Sequence, residues 1–164
     1  FLAIFFIVAP VKTGATQDYV TGKEAYKRGD YEIALEHFVP LAQRGHAESQ
    51  ANLGYMYSHG LGVLRDYKQS LRWLREAAVQ NDAHAQHNLG VLHGNGLGVP
   101  TDHFLAYLWF NLAAANGHKT SGIKRDLAAL RLSPGELLTA KGIVRKCLIN
   151  PMSCHKYSIP GKSI

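Results

Sequence analysis

The chain has 164 residues and a mass of 18.1 kDa, which fits one domain with a real hydrophobic core. Its formal charge of +6 is lopsided: from residue 119 onward nine Lys or Arg stand against Asp126 and Glu136 alone, and the rest of the chain is close to neutral. That basic end lacks the interleaved aromatic residues of single-strand binders, which excludes nucleic acid as the expected partner; it reads as solubility first and a contact for an acidic partner second.

Phe1 to Ala9 is a run without charge. It is too short to span a bilayer as a helix, but it suits the h-region of a secretory signal, and Thr13-Gly14-Ala15 supplies the small residues of a cleavage site. Residues 1–15 are therefore expected to be a signal peptide cut after Ala15, with a positive n-region upstream of Phe1. A buried N-terminal strand or helix is the alternative. No cysteine follows the run, so a lipoprotein anchor is not expected. The implied localisation is periplasmic or secreted, and loss of Lys12 leaves 17 basic against 12 acidic side chains.

Residues 16–46 carry Gly22, Ala25, Gly29, Asp30, Tyr31, Ala34, Leu35 and Phe38, the pattern of a short helix pair. Residues 47–82 and 83–118 are then one 36-residue unit written twice: Leu53-Gly54, Gly60-Leu61-Gly62-Val63, Asp66, Trp73 and Ala77-Ala78 recur as Leu89-Gly90, Gly96-Leu97-Gly98-Val99, Asp102, Trp109 and Ala113-Ala114. A fixed period of this length marks stacked repeats, each leaving an apolar face that its neighbours cover. Every unit reads as a first helix, a glycine loop and a second helix capped by Asp66 or Asp102. Gly54 and Gly90, inside the first helices, predict close approach of one helix to the next, since a helical glycine otherwise costs about 1 kcal/mol.

After residue 118 the pattern fades into capping helices at 119–148. Lys119 to Arg131 is expected to be helical with Ile123, Leu127 and Leu130 on one stripe, and Ser133-Pro134-Gly135-Glu136 reads as a capping box with Pro at the first helical position. The helix that follows places Leu137, Ala140, Val144 and Cys147 on one face. Residues 149–164 form an irregular tail. Cys147 and Cys154 are close enough in sequence to pair in an oxidising compartment across the turn-forming Asn150-Pro151; the alternative is a buried thiol at Cys147 and a free Cys154.

The phrase Ala83-His84-Ala85-Gln86-His87-Asn88-Leu89-Gly90, with the glycine loop, Asp, Trp and Ala-Ala that follow, resembles the SLR (Sel-one-like repeat) family, as does the ending Leu130-Arg131-Leu132-Ser133-Pro134. The resemblance covers about residues 17–148. It implies an all-α, right-handed α/α superhelix of helix–loop–helix repeats with a C-terminal capping helix, related to tetratricopeptide proteins. It also implies an adaptor in assembly, signalling or envelope processes, with no shared catalytic residues and no cofactor. Placing the Leu-Gly pairs in tetratricopeptide geometry sends Tyr19, Lys23, Tyr26, Glu48, Ala51, Asn52, Tyr55, Ser58, His84, His87, Asn88 and Val91 to the concave side. There Tyr gives contact area with a polar tip, and Asn52 and its copy Asn88 can each donate to and accept from an extended backbone. The expected partner is a protein or peptide, bound by a monomer, with membrane contact only through a partner or the basic face.

Other chemistry reads weakly. The glycines at 94, 96 and 98 follow a helix rather than a strand, unlike a dinucleotide loop. Some cysteine-rich members of the family are associated with penicillin binding, and Ser121-Gly122-Ile123-Lys124 and Ser153-Cys154-His155-Lys156 match Ser-x-x-Lys; no separate Lys-Thr-Gly strand accompanies them, so no enzyme is expected. His84, His87 and His93 share one helix, but no Cys, Asp or Glu completes a metal set, and they read as aromatic-like contact surface. A regulator that docks a membrane sensor through the basic C-terminal face is the alternative function, and a penicillin-binding or cell-wall enzyme ranks below it.

Overall fold

The computed structural model of the chain describes residues 14–150, and these are helical with no strand among them. Helices α1 (Gly14–Arg28) and α2 (Tyr31–Gln43) form the first pair, α3 (Ala47–His59) and α4 (Tyr67–Ala78) the second, and α5 (Ala83–Asn95) and α6 (His103–Ala115) the third; α7 (Ser121–Ala129) and α8 (Pro134–Ile149) follow. The partners in each pair pack on each other, α2 on α3 and α4 on α5, so the pairs stack in chain order. The expected all-α helical-repeat solenoid is the fold observed. Residues 1–13, which hold most of the expected signal peptide, lie outside those described, and a cut after Ala15 would fall in the first turn of α1.

Asp66 and Asp102 cap α4 and α6 as their position predicts: with φ −141° and ψ near 100°, each carboxylate turns back on its helix, Asp66 accepting from the Lys68 and Gln69 amides and Asp102 from that of Leu105. The equivalent Asp30 does not cap. The pair it serves has no long loop, its backbone sits at φ −80°, ψ 67°, and its carboxylate takes the Arg28 Nε at 2.9 Å instead.

Two glycines explain how tightly the units nest. A methyl added at Gly90 would lie 2.7 Å from the Phe110 ring, and one at Gly54 would lie 2.6 Å from Leu74, so α5 and α3 approach their partners at distances only glycine allows. In the loops, Gly98 has φ +74° and lies against Tyr67 and Leu71 of the previous unit, as Gly62 lies against Tyr31 and Leu35. The loop of each full repeat is thus a wedge seated on its neighbour.

A polar clasp, which the sequence reading did not pick out, repeats with the same period. Gln50 and Gln86 are buried at 2% and 1% exposure. Gln50 Nε2 donates to the Ala42 carbonyl and Gln86 Nε2 to that of Ala78, both at 3.0 Å; their Oε1 atoms accept from Gln80 at 2.8 Å and Asn116 at 2.9 Å. Each clasp joins the end of one second helix to the next first helix, and leaving such a buried amide unmatched costs about 1–3 kcal/mol.

The apolar interior is divided. Ala25, Ala34, Phe38 and Met56 form one cluster, Ala42, Leu53 and Trp73 a second, and a larger one runs from Ala51 and Leu74 through Leu89 and Trp109 to Val144 and Cys147. At the C-terminal end the Ser133 capping box forms as expected, and α8 turns Ala140, Ile143, Val144 and Cys147 onto α6. The stripe on α7 is a correction. Ile123, Leu127 and Leu130 are 68%, 55% and 81% exposed, while Ser121 and Ala128 face inward. The reason is that α8 packs chiefly on α6, so nothing among the described residues covers this face of α7. Cys147 is buried at 3% exposure; its expected pairing with Cys154, and the Ser-x-x-Lys match at 153–156, lie outside the described residues.

Candidate functional site

The first helices of the stacked units stand side by side, and one groove runs across them. It has a volume of about 420 Å³ and is lined by Tyr19, Lys23 and Tyr26 of α1, Glu48, Ala51, Asn52 and Tyr55 of α3, and His84, His87 and Asn88 of α5, together with Asp82 and His118. Ten of the twelve concave positions expected from the sequence therefore meet in one cavity. Val91 lies instead in the neighbouring clefts, and Ser58 in one of them, toward the loop end of the same face.

Each end of the groove has its own chemistry. At the α1 end, Tyr19 packs its ring 5.9 Å from Phe38 and 4.9 Å from His46, carries the Lys23 ammonium 5.6 Å over its face and shares a hydrogen bond with the Asn52 side chain. Burial raises the pKa of both Tyr19 and Tyr26, so these phenols stay protonated donors. Tyr55 stacks on His59 at 4.0 Å. These contacts hold aromatic rings in place before a ligand arrives, which lowers the ordering cost of binding.

At the α5 end the histidines form a cluster. His87 and His118 stack at 4.0 Å with an 18° tilt, and His84 meets His118 edge-on at 5.2 Å. The Ser121 hydroxyl bridges His87 Nδ1 at 2.8 Å and His118 Nδ1 at 2.9 Å. Burial, and then the neighbouring His118, Lys124 and His84, lower the His87 pKa to about 4, and burial lowers that of His118. Near neutral pH these two rings are uncharged, flat contact surfaces. Asp82 caps α5 by accepting the Ala85 amide at 2.7 Å, and burial raises its pKa.

Three findings bear on the weaker chemistries. Ser121 has 0% exposure and both of its histidine contacts are internal, so its hydroxyl cannot reach a substrate; its Ser-x-x-Lys spacing is a packing detail. His93 does not belong to the contact surface, a correction to the sequence reading: it is 4% exposed, with neither ring nitrogen bonded among the described residues, and burial followed by Arg75 lowers its pKa to about 4. Among the described residues no three His, Cys, Asp or Glu converge as metal ligands.

Asp82 and His118 are the lining residues the sequence reading missed. They occupy one repeat position, 36 residues apart and 36 after His46. His46 meets Ser49 as His118 meets Ser121, Nδ1 to Oγ at 2.9 Å. Reading this column of the repeat, just ahead of each first helix, would have found them.

A model of the Sel1 repeat matches residues 17–46, 47–82 and 83–118. Among solved structures, the chain is similar to a protective antigen present in uropathogenic Escherichia coli strains that displays an SLR fold, with a TM-score of 0.78 and 27% identity over 92% of this chain and 34% of that one. It is also similar to a Sel1 repeat protein from Oxalobacter formigenes, with a TM-score of 0.62 and 33% identity over 65% of this chain and 44% of the other. The DAP3-binding cell death enhancer 1 of Mus musculus is 38% identical over 50 residues, 30% of this chain and 10% of the mouse protein; that of Rattus norvegicus matches to the same extent. The chain thus spans about a tenth of the curated relatives it matches. With three repeats that cover more than half of its length, it belongs to the Sel1-repeat family.

Proposed function

We propose that the chain is an exported, non-enzymatic adaptor that holds an extended segment of a partner protein in its concave groove. Sel1-repeat proteins are in general protein-interaction scaffolds. The observation that carries the finer reading is the convergence of Tyr19, Tyr26, Tyr55, Asn52 and Asn88 on one groove spanning three first helices. Two amides 36 residues apart on adjacent helices suit successive backbone groups of an extended chain, and the preset tyrosines suit its side chains. Replacing both Asn52 and Asn88 by Ala is expected to keep the helices and lower melting only slightly, because both side chains are half-buried on the groove wall and the Tyr19 contact of Asn52 is worth about 0.5–1.5 kcal/mol. It should weaken a partner captured from the native source by about tenfold or more, the worth of a few hydrogen bonds.

The second reading, docking through the basic face, is favoured by the cap helix. Lys141 and Arg145 flank a shallow cleft of about 380 Å³ beside Leu148 and Ile149, which are 49% and 81% exposed. Reversing the charges of Lys141, Arg145 and Lys146 is therefore the matched control. Loss of the partner in that variant, with normal binding by the asparagine variant, would move the function to α8. Export belongs to the same proposal and predicts an intrachain Cys147–Cys154 disulfide, which intact mass with and without reductant would detect.

A further inference from the structure

The glycine wedge that seats each full repeat on its neighbour has no third copy. Gly62 rests on Tyr31 and Gly98 on Tyr67. Counted on by 36 residues, the next seat is His103 of α6, but after α7 the chain runs through Arg131-Leu132-Ser133 straight into α8. His103 instead faces a cleft of about 220 Å³ whose lining includes Gly94, Ala106, Phe110 and Leu127. Lys124 and Arg131 also line it; no carboxylate does, and neither cation is ion-paired among the described residues.

This cleft continues the concave surface. In the repeat, Ile123 and Leu127 of α7 and its C-cap residue Leu130 occupy the positions held by His87, Val91 and Gly94 in α5 and by Ala51, Tyr55 and Ser58 in α3. Along the solenoid this face therefore changes from tyrosine and asparagine, through histidine, to aliphatic side chains with a basic border. Large apolar side chains left exposed on one helix face, beside an open apolar cleft, mark a place where something docks.

We propose that this cleft is a second anchoring point of the groove, and that it takes an aliphatic or aromatic side chain flanked by carboxylates in the bound segment. The apolar floor removes the anchor from water, and Lys124 and Arg131 attract the acidic flanks and reject basic ones. The proposal rests on the reading of the concave face as a peptide groove and adds the chemistry of the peptide.

The test is an amide-shift titration of the 164-residue chain by nuclear magnetic resonance with three short capped peptides. One has Leu-Phe flanked on each side by Asp-Glu, one has the acidic residues replaced by Lys, and one has Leu-Phe replaced by Ser-Ser. The acidic apolar peptide should shift amides around Gly90, Gly94, Lys124 and Leu127, and the other two should bind far more weakly. Lys124→Glu with Arg131→Glu should weaken the acidic peptide by roughly tenfold and strengthen the basic one, as two exposed charge contacts change sign. Leu127→Ser, which leaves the charges in place, should weaken the acidic peptide by about threefold. Equal binding of acidic and basic peptides, or shifts confined to other surfaces, would overturn the proposal. So would a peptide-free dimer abolished by Leu127→Ser, which would assign the cleft to a second copy of the chain. The peptides need no native partner, so failure here leaves the test of Asn52 and Asn88 untouched, and the converse holds.

Discussion

His93 shows how a single side chain can set the acid limit of the fold. It is almost fully buried without a ring-nitrogen partner among the described residues, and its pKa drops from 6.5 to about 4. The unfolded chain therefore takes up a proton near pH 6.5 that the folded chain refuses until about pH 4. This contribution to stability is complete above 6.5 and is lost as pH falls toward 4, with a size on the order of 2 kcal/mol near pH 5. His87, lowered to about 4, acts in the same sense; Asp82, raised by burial, acts in the opposite sense as its carboxyl protonates. Between pH 7 and pH 5, thermal melts should show the stability of His93→Phe shifting in the variant's favour relative to the parent, because the parent loses stability on acidification and the variant loses less. Parallel curves would show that His93 does not carry the effect.

At the scale of the helix pair, backbone approach decides what the sequence permits. Gly90→Ala gains helix propensity of about 1 kcal/mol, but its methyl would collide with a buried aromatic ring, and overpacking of that kind costs about 1–3 kcal/mol. The net expectation is loss of stability in urea unfolding. Gly142, inside α8, has open space where its Cβ would go, so Gly142→Ala should instead stabilise by roughly 0.5–1 kcal/mol. Opposite signs for two helical glycines would separate packing from propensity; equal signs would refute the close-approach account. The recurrence of Gly54 and Gly90 made this feature legible in the sequence, as did the Asp66 and Asp102 caps and the Ser133 capping box. The Asp30 exception was not legible, because the shortened turn before α2 sets a backbone angle that no side chain announces. The Gln50 and Gln86 clasps were missed for another reason: they read as polar residues on a helix, and only the stacking of units turns them inward.

Across the whole molecule, the period was enough to give the stacked helix pairs and to bring Tyr19, Asn52, Asn88 and their neighbours into one groove. It failed where the period ends. A stripe such as Ile123, Leu127 and Leu130 looks like a core face in isolation, and whether it is covered depends on where the next helix packs, which on α7 is elsewhere. The division of the core also has a consequence. Residues 83–118 supply Leu89, Leu92, Trp109 and Leu112, much of the largest cluster, and carry the surface on which α4, α7 and α8 pack. Deleting them should leave a chain with reduced helicity and no cooperative melt by circular dichroism, since terminal units need a neighbour to bury their faces. A fully helical, cooperatively melting remainder would mean that the units stand alone.

The adaptor reading stands or falls on where the partner touches the solenoid. Site-specific photo-crosslinking answers this, with benzoylphenylalanine placed in turn at Tyr55 in the groove, at Lys141 on α8 and at Leu64, a loop residue 92% exposed that serves as a background control. Performed in the native source, with cross-linked peptides identified by mass spectrometry, the account predicts one recurrent partner segment joined at position 55 and none at 64 or 141. Recurrent cross-links at position 141 with none at 55 would contradict it and would place recognition on the basic cap.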